Sequence, residues 1–115
     1  MVDINADLVA LPRDENYVPL QNSYRKMSSG TGTVTTSGTP VQVKATPTQA
    51  KIIDIINPTS NAGVIVIGDS TVSYASNIGI PIEPGFTYRV PVTDLSKIYI
   101  DAAANGYTFA YNYFT

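Results

Sequence analysis

Gly63-Val64-Ile65-Val66-Ile67-Gly68-Asp69-Ser70-Thr71-Val72-Ser73 is the stretch that decides the fold class of this chain. Val64 to Ile67 is an unbroken run of β-branched side chains, which suit a pleated strand better than a helix. Gly68 and Asp69 close the run as turn formers, and Thr71 to Ser73 reads as a short second strand. A strand that is apolar on both faces is expected to be covered on both, by a second sheet or by another subunit.

Working outward, the same pattern recurs. Thr33 to Thr36 reads as a Thr-rich strand, and Pro40 to Lys44 as another with Val41 and Val43 on one face. Lys51 to Asn57 carries Ile52, Ile53, Ile55 and Ile56, again apolar on both sides. Ile80 to Ile82 runs into Glu83-Pro84-Gly85, where Pro-Gly signals a turn. Phe86 to Val92 alternates, and Pro91, which has no N–H to donate, marks it as an edge strand. Lys97 to Asp101 follows. Asn105-Gly106 reads as a type I′ hairpin, and Tyr107 to Phe114 places Tyr107, Phe109, Tyr111 and Tyr113 on one face. The sum is about eight short strands at roughly ten-residue spacing, the signature of a sandwich or barrel. The expectation is therefore an all-β fold: a small, jelly-roll-like antiparallel β-sandwich over residues 33–115.

Residues 1–32 are of another kind. They have no clean period, hold Pro12 and Pro19, and end in the small-residue run Ser28 to Gly32, read as a hinge. Leu8, Val9 and Leu11 form their densest apolar cluster. Tyr17, Val18 and Leu20 form the next, with Arg13 and Arg25 flanking. Apolar anchors between charges are what a peptide laid along a groove requires. The segment is expected to be an extended arm held by a partner, and the sandwich to fold without it.

Composition narrows the function. Of 115 residues, 43% are hydrophobic and only 14% charged, too apolar for a disordered chain and low in charge for a fully solvated surface. Subunit contact is expected, at Ile53, Ile55, Val64, Val66, Tyr111 and Tyr113. The net charge of −2 offers no footprint for nucleic acid or an anionic membrane, and no apolar run approaches the roughly 20 residues of a membrane span. The chain contains neither Cys nor His, which removes disulfides, thiol chemistry, Ser-His-Asp triads and histidine metal sites. Absent cysteine also fits synthesis in a cytoplasm. Gly68-Asp69-Ser70, lacking a base, reads as a capped turn. Asp54, Asp69, Glu83, Asp94 and Asp101 stand on separate turns without the alternate spacing of a calcium loop. No enzyme activity, cofactor or metal is expected. The eight Tyr read as core and subunit interface rather than as a sugar platform.

The run Thr33 to Phe114 resembles a small β domain of tailed-bacteriophage virion proteins, of the capsid decoration (cement) or head-fibre type. The resemblance rests on Val34-Thr35-Thr36-Ser37-Gly38-Thr39-Pro40-Val41-Gln42-Val43, Gly68-Asp69-Ser70-Thr71-Val72, Gly79-Ile80-Pro81-Ile82-Glu83-Pro84-Gly85 and Asp94-Leu95-Ser96-Lys97-Ile98-Tyr99-Ile100-Asp101. The arm piece Arg13-Asp14-Glu15-Asn16-Tyr17-Val18-Pro19-Leu20 is similar to a pattern ahead of phage structural domains, with Tyr17 in place of a basic residue. The resemblance implies a virion protein on the capsid exterior, made in the bacterial host cytoplasm. It implies a homotrimer whose arm grips the major capsid protein. The alternative it leaves open is a tail or fibre module that binds a host-surface glycan.

Overall fold

Alternating apolar strands can bury their inner faces only by stacking two sheets, and the chain does so by switching sheet at nearly every connection. The computed structural model describes residues 26–115. Its strands are β1 (Met27–Val34), β2 (Val41–Gln42), β3 (Ile52–Ile56), β4 (Ile65–Gly68), β5 (Ile80–Ile82), β6 (Thr87–Pro91), β7 (Tyr99–Ala102) and β8 (Tyr107–Phe114). A 3-10 turn, Leu95–Lys97, precedes β7. One sheet runs in the order β1-β8-β3-β6 and the other β2-β7-β4-β5. Every ladder is antiparallel. Among the described strands only β4 and β5 are consecutive within one sheet, and this interleaving is a jelly roll. The expected all-β sandwich is the fold, and Pro91 lies, as read, on the edge strand β6.

The core lies between the sheets. Val34, Ile53, Ile55, Ile65, Ile67, Leu95, Ile100, Ala102 and Phe109 are buried there. Full burial of each large side chain contributes about 1.5–3 kcal/mol. The row Tyr107, Phe109, Tyr111, Tyr113 faces inward along β8, with successive ring centroids 6.3 Å (Phe109–Tyr111) and 6.2 Å (Tyr111–Tyr113) apart.

Those rings explain a correction. Ser28 to Gly32 is not a hinge. It is the body of β1, eight residues paired along their length with β8 from Met27 opposite Phe114 to Val34 opposite Tyr107. Gly30 lies opposite Tyr111 and Gly32 opposite Phe109. A methyl at Gly30 would sit 2.5 Å from Tyr111 Cζ, and one at Gly32 2.8 Å from Phe109 Cε2. The glycines are there because the rings lie across the backbone of β1, leaving no room for a side chain.

Other expectations shift for similar reasons. Asn105-Gly106 does not close a hairpin: β7 and β8 belong to different sheets. Only Gly106 of the two has positive φ, 82°, and the Asn105 side chain instead accepts the Ser37 N–H at 2.8 Å. Thr71 to Ser73 is no strand. It belongs to a loop, residues 69–79, closed by the Ser73–Ile78 bridge, and this loop folds back over the outer face of the second sheet. There it lies beside the nearly buried Val66 on the outward side of β4, a role expected of a second sheet or another subunit. The Pro84-Gly85 turn is as read: Phe86 N–H reaches Glu83 O at 3.1 Å and Gly85 has φ 86°.

Two truncations should separate the arm from the domain. Removal of residues 1–25 should leave the cooperative thermal transition of the β signal in circular dichroism intact. Removal of residues 1–32 deletes most of β1, strips the cover from Phe109 and Tyr111, and should lower the transition steeply or abolish it. Gly32→Ala in the full chain should destabilise by about 1–3 kcal/mol, as overpacking of a filled core does.

Candidate functional site

The place where the N-terminal segment enters the domain is built by three strands. β1 starts at Met27, β8 ends beside it, and β3 starts next to β8. Directly opposite residues of a ladder share a face, so Met27, Phe114, Ile52 and Pro91 form one row across all four strands on the outer face of the first sheet. Met27 is the exposed end of this row. The next row is polar: Ser29, Asn112, Asp54 and Arg89. Ser29 donates its hydroxyl to Asn112 Oδ1 at 2.6 Å. Arg89 grips Asp54 in a two-pronged ion pair, Nε–Oδ1 2.7 Å and Nη2–Oδ2 2.9 Å, and its guanidinium lies 5.6 Å from the Phe114 ring centre. The arginine is more than half exposed, so the pair contributes little to stability, within about 1 kcal/mol. It places a cation beside the Phe114 ring in the middle of the apolar row. Beside the row an open cleft of about 460 Å³ is lined by Lys26, Gln49, Ala50, Lys51 and Thr115.

The sequence-predicted residues divide sharply. Leu8, Val9, Leu11, Arg13, Tyr17, Val18, Leu20 and Arg25 lie outside the described residues. Of the expected subunit contacts, Ile53, Ile55 and Tyr111 are buried between the sheets of the protomer, so they present no surface to a neighbour. They pair inside the core, Ile53 opposite Tyr113 and Ile55 opposite Tyr111. Tyr113 packs against that core partly exposed, and the nearly buried Val66 lies beside the 69–79 loop. Val64 alone of the set is half-exposed outside the core.

The carboxylates serve turns. Asp94 Oδ1 accepts the Ser96 N–H and hydroxyl, both at 2.9 Å, and the Thr48 N–H at 3.1 Å. The Ser96 N–H above all, then its hydroxyl and the Thr48 N–H, hold Asp94 below the usual carboxylate range. Asp69 is lowered likewise, first by the Thr71 hydroxyl and then by the Thr71 N–H. Asp101 is buried on the outer face of β7, where Oδ1 accepts the Gly38 N–H and Oδ2 the Tyr74 N–H, each at 2.9 Å. It thereby pins two loops to one sheet. Among the described residues no three acidic side chains gather into a metal-binding group.

Sequence reading missed a buried amide pair. Asn57 donates to Ile82 O at 2.7 Å and Gly63 O at 3.1 Å, and accepts Asn61 Nδ2 at 2.7 Å. Asn61 also bonds both backbone groups of Thr108. The Asn57 backbone holds the β5–β6 turn through Gly85 N–H and Phe86 O. Asn-Pro marked a loop start, but nothing local shows that the amide is buried.

No protein family, no curated protein and no solved structure matches this chain.

Two carboxylates with lowered pKa set an acid limit. A depressed carboxylate contributes stability that is present above its unfolded value of 3.8 and is lost as pH falls through the lower folded value. The thermal midpoint should therefore hold through neutral pH and fall below about pH 4. Asp94→Ala should lower the midpoint at pH 7 and flatten its acid dependence. Asp94→Asn, which keeps one accepting oxygen, should lower it less.

Proposed function

We propose that this chain is a structural protein of a bacteriophage particle that decorates and stabilises the capsid from outside, gripping the major capsid protein with its N-terminal segment and acting as a homo-oligomer, a trimer by the resemblance. The observation that carries this reading is the way the segment joins the domain. Residues 1–25 lead into a strand that is stitched to β8 over eight consecutive pairs. A load applied along β1 must shear that ladder as a unit, where a load on a loop would peel contacts one by one. A short apolar segment rooted in a sheet is suited to bridge joints between subunits. Each apolar anchor it buries there contributes about 25 cal/mol per Å², and several such arms on one oligomer act together through effective concentration. The jelly roll is a recurrent fold of viral capsid proteins, an analogy of fold only, since lectins share it.

The glycan-binding reading leaned on a row of tyrosines. Tyr111 is buried between the sheets, Tyr107 and Tyr113 pack partly buried against the core, and Tyr88 is exposed, which offers less support to that reading than a fully exposed row would.

The triple substitution Leu8→Ala, Leu11→Ala, Leu20→Ala should leave the domain folded and its oligomeric state unchanged. Each truncation of a buried anchor costs about 1–2 kcal/mol or more. Together they should weaken one arm by a factor of hundreds or more, at about tenfold per 1.4 kcal/mol. Added to capsids that lack the protein, the variant should fail to decorate where the wild type saturates. Decoration at wild-type occupancy and concentration would sink the proposal that the segment is the anchor.

A further inference from the structure

The large apolar side chains that remain exposed are not scattered. Among the described residues they are, apart from Met27, Tyr74, Ile78, Ile80, Phe86 and Tyr88, all between residues 74 and 88. The fold gathers them on one flank. β5 and β6 are edge strands of the two sheets, joined by the tight Glu83–Phe86 turn. Ile80 stands opposite Ile67 and Tyr88 opposite Ile55, so both look into the gap where the core ends at the open side of the sandwich. Tyr74 and Ile78 lie on the loop folded against the outer face beside β5.

We infer that this flank is the surface through which copies of this chain associate, with Phe86 of one copy seated in the groove beside Tyr74 of the next. Phe86 is the most exposed large apolar residue among the described residues, at 66%, yet its backbone is fixed by the Asn57 N–H on its carbonyl at 3.0 Å. It is a knob held out from a rigid turn. The same flank carries a hole: a groove of about 290 Å³ with Val64 and Pro81 as its accessible apolar floor, the nearly covered Val66 at its base, and Tyr74 and Asn77 as its wall. That volume takes a phenyl ring, and a rigid aromatic anchor in an apolar pocket is the usual centre of a protein interface.

Three observations favour a second copy as the occupant. The flank contains its own complement, knob and hole together. Residues 74–88 include one charge, Glu83, so like copies meet without repulsion. The exposed fractions amount to roughly 400–500 Å² of apolar surface, given aromatic side chains of about 150–250 Å² each. That is a little over half of the roughly 800 Å² per partner in a stable complex, the apolar share that interfaces show. Association is by side chains and not by strand addition, because Pro81 and Pro91 interrupt the free edges of β5 and β6.

The test uses the full chain without capsids, so its outcome is independent of the virion reading. Sedimentation or light scattering should show the wild type associating at micromolar concentration. Phe86→Ser and Tyr74→Ser should each raise the dissociation constant by about tenfold or more, with the β signal unchanged. Met27→Ser, exposed on the opposite edge of the first sheet, should have no effect. The chain has no cysteine, so a second readout is clean: mild oxidation of Phe86→Cys chains mixed with Tyr74→Cys chains should give the mixed disulfide dimer in excess of either self-pair. A monomeric wild type at high micromolar concentration overturns the inference, as does association untouched by Phe86→Ser or absence of the mixed dimer. Tyr74-dependent binding of a monosaccharide by a monomeric chain overturns it equally, by giving the groove another occupant.

Discussion

The contact between the rings of β8 and the bare backbone of β1 is the constraint on which the rest depends. Phe109 and Tyr111 are the two buried aromatic side chains that β8 directs between the sheets, and they need space on the β1 side. Gly32 and Gly30 supply it. With side chains there, the rings would be forced into the second sheet, where Ile65, Ile100 and Ala102 already fill the interior. With the rings in place, β1 loses exposed backbone to β8 and the first sheet gains its fourth strand, which begins directly after the N-terminal segment in sequence.

The same topology sorts the outer surface. β1 and β6 are opposite edges of one sheet, separated by β8 and β3, about 14 Å at the usual strand spacing. The root of the N-terminal segment stands at the first edge. The apolar flank of Tyr74 to Tyr88 stands at the second and continues round to β5. In the proposed assembly the capsid contact and the contact between copies would use different edges of the domain and need not compete for surface. Charge plays a small part. Arg89 and Asp54 order the face between the two edges, and Asp69, Asp94 and Asp101 are committed to backbone N–H groups.

Much of the sandwich was legible because its signals are local. The β-branched run Val64 to Ile67, the isoleucines of Lys51 to Asn57, the alternating tyrosines and the Pro84-Gly85 turn each state their structure within a few residues. What could not be read depends on partners far along the chain. Ser28 to Gly32 looks like a linker until the rings of residues 109 and 111 are laid across it. Asn105-Gly106 has hairpin chemistry, but a jelly roll sends the strands on either side to different sheets. Ile53, Ile55 and Tyr111 are apolar enough for an interface, and only the second sheet reveals that they are already covered. The buried pair Asn57 and Asn61 gives no sign of itself, since its partners are carbonyls and N–H groups of residues 63, 82 and 108.

Amide hydrogen exchange on the full chain at neutral pH tests the central claim most directly, because it reads β1 residue by residue. If β1 is a strand locked by the ring–glycine contacts, its amides that face β8 should exchange as slowly as those β8 directs at β3, and both should open together in the global unfolding event. Rapid exchange across Ser28 to Val34 beside a protected β8–β3 ladder would contradict the account. It would return those residues to a hinge and leave the N-terminal segment without a root in the sheet.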